Sequence, residues 1–375
     1  MGDQPHYLGI DLGTTNSVIA WGSPRSRLHD FFEPHVLEVE QLGFQGKTFR
    51  GRRLPSAVFF KEGEAPIVGE FALKDAYSTL PHLVVRSVKS RMGSGQEVSV
   101  GSHKYTPAYI SSLILRKLRA ATRSKFGAEL EDVVITVPAS FSPDMRQDTL
   151  DAARQAGFKI EGSDGAPRNM LLDEPRAALY FLIHQQKRGQ ISTSLVDFTS
   201  PKNILIFDLG GGTLDVSLCT VQSNYESLDL DVRDPFLARY SRIGGDNFDE
   251  LIAKFFERRF EAKFKFSVDA VPEDYIRQAI RSKLLLEAEA KKCELNDLTK
   301  EAIDQGESWD KLRQRVTVPF ELPNLYDNKA LMDRLTWDQL QEVTAPLMGR
   351  ELTLSALTSL NISARIRQTT SSTPF

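Results

Sequence analysis

The chain has 375 residues, of which 41% are hydrophobic and 26% are charged, and its net charge is −3 with both signs mixed. This length can bury a large core and favours two lobes rather than one. The balanced charge gives no electrostatic footprint for a nucleic acid or a membrane surface, so we expect neither as a partner.

Cysteine usage bears on the compartment. The two cysteines, Cys219 and Cys293, are too few for a disulfide framework and lack the spacing of metal ligands. No signal peptide is recognisable before Tyr7, and no apolar run approaches membrane-spanning length. A reducing cytoplasm fits these features best, and we therefore expect a cytoplasmic protein.

The first element is the stretch 7–22, YLGIDLGTTNSVIAWG, which reads as a strand, a tight polar turn and a returning strand. Asp11 precedes the turn, and Gly13, Thr14 and Thr15 form it. Backbone N–H groups, two hydroxyls and a carboxylate gathered so closely suit a phosphate chain and its Mg²⁺. A simple hairpin without a ligand is the alternative interpretation.

The chain from 36 to 93 is less regular. Alternation at 36–40 predicts an edge strand, 54–60 (LPSAVFF) predicts another strand, and 69–93 predicts a helix interrupted around Pro81. Lys89 lies near the end of this last segment, and a solvated lysine is its simplest interpretation.

Two helices with clear start signals surround a buried strand at 133–137 (VVITV). The first is predicted to begin after Thr106 at Pro107 and to run to about 126. The second is predicted to begin after Ser142 and to end at Gly157. We expect the first of these helices to face the core.

Two charged residues stand near predicted helix starts. Arg146 occupies a first turn, where the helix dipole disfavours a cation, so it has another role or pairs with Asp144 or Asp148. Glu174 precedes Pro175 at the next helix start, where a carboxylate either caps the helix or projects into a cleft. The polar connection at 191–203 is our predicted lobe boundary.

The stretch 203–221, NILIFDLGGGTLDVSLCTV, repeats the plan of the first element. Asp208 stands in the same D-L-G frame as Asp11, and glycines, Thr213 and Asp215 follow. Two matching turns argue for a duplicated fold. If an approximate twofold axis relates the two lobes, both turns face one cleft and grip one nucleotide from opposite sides.

The remaining pattern predicts a strand over 229–241, a glycine turn at 243–249 followed by a helix, and a long helix over 273–295. Glu289 and Lys292 share a face of the long helix, where an intrahelical ion pair is the simple explanation. A strand at 316–322 and a helix from about Thr336 follow. Beyond about Leu360 the periodicity fades, and we expect a disordered tail.

These residues resemble the nucleotide-binding domain of the heat shock protein 70 (DnaK-like) chaperones over about 7–357. Matching runs are GIDLGTTNSV at 9–18, SVKSRMG at 87–93, YTPAYISSLIL at 105–115, VVITVPASF at 133–141, DEPRAAL at 173–179, FDLGGGTLDVS at 207–217 and IGGDNFD at 243–249. Their number and order exclude chance.

The resemblance implies an α/β protein with the actin-like ATPase (ribonuclease H-like) fold, whose two lobes each carry an inner mixed sheet and an outer subdomain. The expected boundaries are lobe I at 1–200 with an outer insertion at about 35–105, lobe II at 201–360 with a mostly helical outer insertion at about 250–325, and a tail at 361–375.

The resemblance also assigns roles by motif. The implied catalytic residues are Lys89, Glu174, Asp208 and Thr213, with Lys89 placing the attacking water and Asp208 or Glu174 accepting its proton. The implied nucleotide-binding residues are Gly13, Thr14, Thr15, Asn16, Gly210, Gly211, Gly212, Gly244, Gly245, Glu289, Lys292 and Asn296. Asp11, Asp208 and Asp215, together with Glu174, would arrange Mg²⁺, its waters and K⁺. Pro138 and Arg146 match the family's proline switch and relay arginine.

The chain departs from the family pattern at the adenosine end. Cys293 replaces an arginine that stacks on the base, and Asn296 replaces a serine. The second glycine motif, G-G-x-x-R, is absent, as are the last helix, the interdomain linker and the substrate-binding domain. We therefore expect a C-terminally truncated member with one unpaired sheet edge and weakened ATP hydrolysis.

Three functions remain open. The first is an ATPase of the chaperone class, served by a J-domain co-chaperone and a nucleotide-exchange factor, with peptide clients only if a substrate-binding domain is supplied elsewhere. The second is a catalytically degenerate nucleotide-binding fragment acting through protein contacts. A sugar kinase of the same superfold is the third, against which the run VVITVPASF and Lys89 speak.

Overall fold

The structure is a computed structural model that describes residues 7–22, 34–43, 46–192, 197–223, 230–237 and 243–347. The chain forms two compact units. Unit 1 comprises Met1–Ala72 and Val85–Arg242, and unit 2 comprises Leu73–Val84 and Ile243–Phe375. The predicted lobes at 1–200 and 201–360 are a different division, which stays a prediction. The predicted tail at 361–375 lies outside the described residues.

The described strands and helices follow in chain order. The strands are β1 (Tyr7–Leu12), β2 (Asn16–Gly22), β3 (His35–Val36), β4 (Val39–Leu42), β5 (Thr48–Gly51), β6 (Leu54–Pro55), β7 (Ala57–Phe59), β8 (Ile67–Val68), β9 (Val84–Arg86), β10 (Val98–Val100), β11 (His103–Tyr105), β12 (Val133–Val137), β13 (Leu171–Asp173), β14 (Lys202–Leu209), β15 (Leu214–Ser223), β16 (Leu230–Leu237), β17 (Thr317–Tyr326) and β18 (Lys329–Thr336). The α-helices are α1 (Tyr77–Thr79), α2 (Pro107–Phe126), α3 (Pro143–Ala156), α4 (Glu174–Lys187), α5 (Gly245–Phe264), α6 (Asp274–Asp304), α7 (Trp309–Arg315) and α8 (Trp337–Leu347). One π-helical turn spans Ala72–Ala76, and 3₁₀ turns span Pro81–Leu83, Val88–Arg91 and Val268–Ala270.

A mixed sheet with the order β13-β12-β1-β2-β3 organises the first part of unit 1, and β6 pairs with β2 beside it. The strands β1, β12 and β13 run parallel, whereas β2 returns antiparallel to β1. Leu8, Ile10 and Leu12 point from β1 into the core. Because side chains alternate along a strand, Asp11 lies on the opposite face, away from that core.

The two helices α2 and α3 cover the core face of this sheet, and their sequence signals are confirmed. The Thr106 hydroxyl accepts a hydrogen bond from the Tyr109 N–H at 3.1 Å at the start of α2. Ser142 caps α3 by accepting from the Met145 N–H at 3.4 Å. Gly157 ends α3 with φ of 91°, a left-handed conformation that glycine adopts without a steric penalty.

Two predictions for the segment 54–93 are wrong in detail. The expected single strand at 54–60 breaks at Ser56, because β6 pairs with β2 while β7 pairs with β8 in another sheet. The expected helix at 69–93 is helical over 70–79 and is interrupted around Pro81 as predicted, but a 3₁₀ turn, β9 and a second 3₁₀ turn replace the rest of it. Local apolar patterns specify strand propensity, but the partner strand lies far away in sequence and decides where each strand ends.

The second sheet of unit 1 is antiparallel and has the order β14-β15-β16. The helix α4 packs on it through a small apolar cluster that includes Leu179, Ile183, Phe198, Cys219 and Val221. The predicted strand at 229–241 is observed as β16, and its last residues lie outside the described part of the chain. In the described residues β14 pairs only with β15, and the expected unpaired edge stays a prediction.

Unit 2 is built from the helices α5 and α6 packed against the hairpin β17–β18, with α7 and α8 beside them. Its core is aromatic at the centre, where Phe256 stacks on Phe320 with ring centroids 4.1 Å apart. The helix α6 extends beyond its predicted end, and β18 and α7 were not predicted. No helix in the described residues is long and apolar enough to cross a membrane.

Replacing Phe256 with alanine should destabilise unit 2 strongly. The side chain is fully buried (0% exposed), so the substitution leaves a cavity and lowers the free energy of unfolding by about 3–5 kcal/mol. Urea unfolding followed by tryptophan fluorescence measures this change. Tyr275→Ala is the control, because 56% of Tyr275 is exposed and its loss should cost less than about 0.5 kcal/mol. Equal effects of the two substitutions would contradict the packing described.

Candidate functional site

The first glycine hairpin is β1–β2, in which Leu12 pairs with Ser17 across the turn 13–16. Ser56 supports this turn from the break between β6 and β7. Its backbone N–H donates to the Thr15 carbonyl at 2.8 Å, and its hydroxyl donates to the Gly13 carbonyl at 2.8 Å. The turn that carries the two threonines is therefore held on its carbonyl side, which leaves its N–H side available.

The second hairpin, β14–β15, has the same construction. Leu209 pairs with Leu214 across the turn 210–213, and the Gly210 N–H donates to the Thr213 carbonyl at 2.8 Å. Asp208 and Asp215 are directly opposite each other in the strand pair. The predicted duplication of the strand, turn and strand is confirmed in these two hairpins.

The two turns lie against each other within unit 1. A Cβ atom added to Gly212 would come within 2.7 Å of the Thr14 Cγ2 atom, and one added to Gly211 would overlap the Thr15 hydroxyl. Only glycine leaves room for this approach. The hydroxyls of one turn and the backbone of the other therefore border one small space.

Lys89 is almost completely buried (6% exposed), so its interpretation as a solvated lysine is wrong. It lies in the 3₁₀ turn Val88–Arg91, which follows Ser87 in a left-handed conformation. Its ammonium donates to Glu174 Oε1 at 2.6 Å, and it stands 5.9 Å from the centroid of the Phe141 ring. Glu174 therefore projects into the site from the start of α4 and pairs with the lysine.

The carboxylates of this region repel one another. Burial raises the pKa of Glu174, the Lys89 charge opposes this shift, and the charges of Asp11 and Asp208 add to it. Partial desolvation likewise raises the pKa of Asp208, with Lys89 opposing and Asp11 adding to the rise. Each of these groups takes up a proton more readily than a free carboxylate, chiefly because burial disfavours its charged form.

Asp215 is buried (5% exposed) beside the loop that follows β12. Ser140 in that loop donates a short hydrogen bond to Asp215 Oδ1. The other carboxylate oxygen, Oδ2, is buried and has no hydrogen-bond partner in the described residues, and the same holds for the Thr15 hydroxyl. Buried polar atoms without partners are costly, so these two atoms are suited to contacts with a bound ligand or its waters.

The partner of Arg146 is neither of the two aspartates considered from the sequence. Its Nη2 atom donates to Asp173 Oδ1 at 2.6 Å and to the Ala139 carbonyl at 3.3 Å. Its Nε atom donates to the Phe141 carbonyl at 3.2 Å. Arg146 thus ties the loop after β12 to the residue that precedes Glu174.

A cavity of about 990 Å³ in unit 1 joins most of the predicted residues. The predicted site residues along its wall are Asp11, Gly13, Thr14, Thr15, Asn16, Lys89, Glu174, Asp208, Gly210, Gly211 and Thr213. Gly212 and Asp215 belong to the same second hairpin. The volume and the mixed polar lining are those of a pocket for a nucleotide-sized ligand.

The other predicted residues belong to unit 2. Lys292 on α6 pairs with Asp249 at 2.7 Å and donates to the Gly245 carbonyl at 3.2 Å, which ties α6 to the start of α5. The ion pair observed for Lys292 is therefore with Asp249 of another helix. Gly244 is buried, Glu289 is partly buried and Asn296 is exposed on α6.

The donor set of unit 1 fits a metal-bound phosphate chain. In the described residues, no group of three or more histidine, cysteine, aspartate or glutamate side chains is arranged to hold a metal ion directly. Mg²⁺ commonly keeps several waters and binds through few carboxylates together with phosphate oxygens. The orphaned Thr15 hydroxyl and Asp215 Oδ2 fit phosphate and metal-bound water, respectively.

Comparison with known families gives the class of the protein. The family described as Hsp70 protein matches the chain over residues 70–351, which is more than half of it. The chain belongs to the Hsp70 family and has its actin-like ATPase fold. Members of this family bind ATP with Mg²⁺, hydrolyse it, and work as chaperones with J-domain co-chaperones and nucleotide-exchange factors.

Three residues near these sites were missed from the sequence. Ser56 and Ser140 carry no recognisable signal, because a single serine after Pro55 or Ala139 is unremarkable. Asp249 lies within the quoted run IGGDNFD, and its position one helical turn from Gly245 could have suggested a role. Each acts across a long sequence separation that the local pattern does not report.

Gly211→Ala should weaken nucleotide binding. The added methyl group overlaps the Thr15 side chain and must push the two turns apart, for which overpacking predicts a loss of about tenfold in affinity. Equilibrium titration with a fluorescent ATP analogue measures this loss. Gly9→Ala is the control, since a Cβ atom there meets nothing within 4 Å. Unchanged affinity in the Gly211 variant would show that the turns do not need their close approach.

The pH dependence of stability should reveal Asp249. Burial raises its pKa from 3.8 to about 6, although Lys292 opposes the shift. Because the folded pKa is the higher one, the stabilising contribution of the protonated form is complete below about pH 4 and is lost as the pH rises through about 6.

The measurement is urea unfolding of the wild-type chain and of Asp249→Asn between pH 4.5 and 7. The wild-type free energy of unfolding should fall relative to that of the variant by about 1–3 kcal/mol over this range. Because the asparagine in Asp249→Asn does not titrate, the loss of the Asp249 partner of Lys292 changes the free energy of unfolding of the variant by an amount that does not depend on pH. A constant difference would mean that Asp249 stays ionised throughout.

Proposed function

We propose that this chain is an ATP-hydrolysing domain of the Hsp70 type, in which unit 1 binds the phosphates and catalyses the reaction. The reaction is ATP and water to ADP and phosphate. The observation that carries the proposal is the buried Lys89–Glu174 pair, 2.6 Å apart, in the wall of the cavity that both glycine turns border.

The phosphate-binding role falls to the two turns. Thr14 and Thr15 donate their hydroxyls and backbone N–H groups to the terminal phosphates, and the turn Gly210–Thr213 cradles them from the other hairpin. Their mutual contact supports this assignment, because turns of this kind place several N–H donors around one anion. Asn16 completes the first turn.

Lys89 is assigned to the attacking water. Its ammonium, held by Glu174, orients a water by hydrogen bonding and offsets charge on the transferred phosphoryl group. Glu174 or Asp208 accepts the water's proton. The raised pKa of both carboxyls supports this role, because a proton acceptor works best when its pKa approaches the working pH.

Asp11, Asp208 and Asp215 would hold Mg²⁺ and a K⁺ ion through bound waters. When bound, the metal supplies charge neutralisation for the phosphate chain. The orphaned Asp215 Oδ2 supports the participation of this residue. In unit 2, the glycine pair Gly244–Gly245 with Glu289, Lys292 and Asn296 binds the adenosine, with Asp249 fixing Lys292.

The wider assignments are part of the same proposal. A J-domain co-chaperone and a nucleotide-exchange factor are the expected partners, and the cytoplasm is the expected compartment, on the basis of the family and the two free cysteines. Nucleotide binding without any turnover would instead support the alternative, a degenerate fragment that acts through protein contacts.

Lys89→Ala should lower the turnover number of ATP hydrolysis by about 100-fold or more, because it removes a preorganised cation from the reacting phosphate. The measurement is phosphate release in single-turnover mode. Circular dichroism must accompany it, since the substitution leaves Glu174 buried without its partner. Lys104→Ala is the matched control, because Lys104 is an exposed lysine of the same unit. Equal rates for all three chains would refute the catalytic role.

A further inference from the structure

We propose that Ser140 is a positioning residue for Asp215, and that its hydroxyl fixes which carboxylate oxygen is presented to the metal–nucleotide complex. The proposal rests on the function proposed above and assigns a role to a residue that the motifs do not contain. Ser140 is assigned no contact with the nucleotide or with the reacting water. It acts only through Asp215.

The two oxygens of the Asp215 carboxylate have different surroundings. Oδ1 accepts the Ser140 hydroxyl, whereas Oδ2 is buried and has no hydrogen-bond partner in the described residues. A carboxylate held at one oxygen cannot rotate freely about its terminal bond, so the other oxygen keeps a fixed direction. An engaged and an open oxygen on one buried group are the arrangement expected of an oriented metal-site ligand.

The loop that carries Ser140 is held by several hydrogen bonds. Arg146 donates to the carbonyls of Ala139 and Phe141, the two residues that flank Ser140, and to Asp173. The Phe141 N–H also donates to the Pro138 carbonyl at 3.1 Å. A serine held on both sides by one guanidinium can impose a direction on its partner, which a serine on an unsupported loop cannot do.

Asp215 occupies a position in the second hairpin that brings it close to another carboxylate. It stands opposite Asp208 in the β14–β15 pair, and the two carboxylates repel each other. Without an anchor, the buried carboxylate would turn away from its neighbour. The Ser140 hydroxyl offsets this tendency and keeps Oδ2 available.

The test compares Ser140→Ala with Ser140→Thr, which keeps the hydroxyl, and with Ser102→Ala, which alters an exposed serine in the β10–β11 turn. Mg²⁺ is titrated at fixed K⁺ and fixed fluorescent ATP analogue, and the half-saturating Mg²⁺ concentration for binding is measured. We expect it to rise about tenfold in Ser140→Ala, the size seen when a residue that orients a metal ligand is removed. The other two variants should match the wild-type chain.

A second measurement addresses the contact without any ligand. Thermal unfolding of Ser140→Ala, Asp215→Asn and the double variant forms a cycle, and the effects should be non-additive because the two side chains share one hydrogen bond. Additive effects, an unchanged Mg²⁺ requirement in Ser140→Ala, or a Ser140→Thr variant that behaves like Ser140→Ala would each overturn the proposal. If the wild-type chain binds no nucleotide at any Mg²⁺ concentration, the proposed function itself fails, and this inference fails with it.

Discussion

The close approach of two glycine turns is the constraint on which the site in unit 1 depends. Gly211 and Gly212 allow the second turn to lie directly against Thr15 and Thr14. Side chains at these positions would separate the hairpins by the width of a methyl group or more. The strands β1 and β14 then deliver Asp11 and Asp208 to the same cavity, because each aspartate stands two positions before its turn. The lack of a side chain at Gly211 and Gly212 thus determines where the carboxylates and hydroxyls meet.

Charge balance explains why this cavity suits a metal–nucleotide complex better than a free nucleotide. Its charged lining is Asp11, Glu174 and Asp208 against the single ammonium of Lys89, and Asp215 is close by. A bare triphosphate would add negative charge to a surface whose carboxyl groups already have raised pKa values. A divalent cation that arrives with the phosphates cancels part of their negative charge and so lowers this repulsion. In the proposed function, the same cation would give Asp215 Oδ2 a partner that the described residues do not supply.

The sequence was informative where structure is local. The two hairpins, the caps of α2 and α3 and the buried strand β12 follow from alternation, glycines and capping residues within a few positions. The interruption at Ser56 could not be predicted, since it arises when β6 joins β2 and β7 joins a different sheet. The burial of Lys89 was also hidden, because its partner Glu174 is 85 residues away. For the same reason, neither the Arg146–Asp173 pair nor the Lys292–Asp249 pair is visible in a local pattern.

Arg146 connects the loop after β12 to the start of α4. Its guanidinium holds the two carbonyls around Ser140 and also the carboxylate of Asp173, the residue before Glu174. The Arg146 guanidinium therefore supports two carboxylates from different elements. It supports Asp215 through the loop that carries Ser140, and Glu174 through Asp173 at the start of α4. Planar guanidinium donors have fixed directions, so a displacement of the loop after β12 must move with α4 or break a hydrogen bond. The backbone on both sides of Ser140 and the residue before Glu174 are thus held by the same side chain.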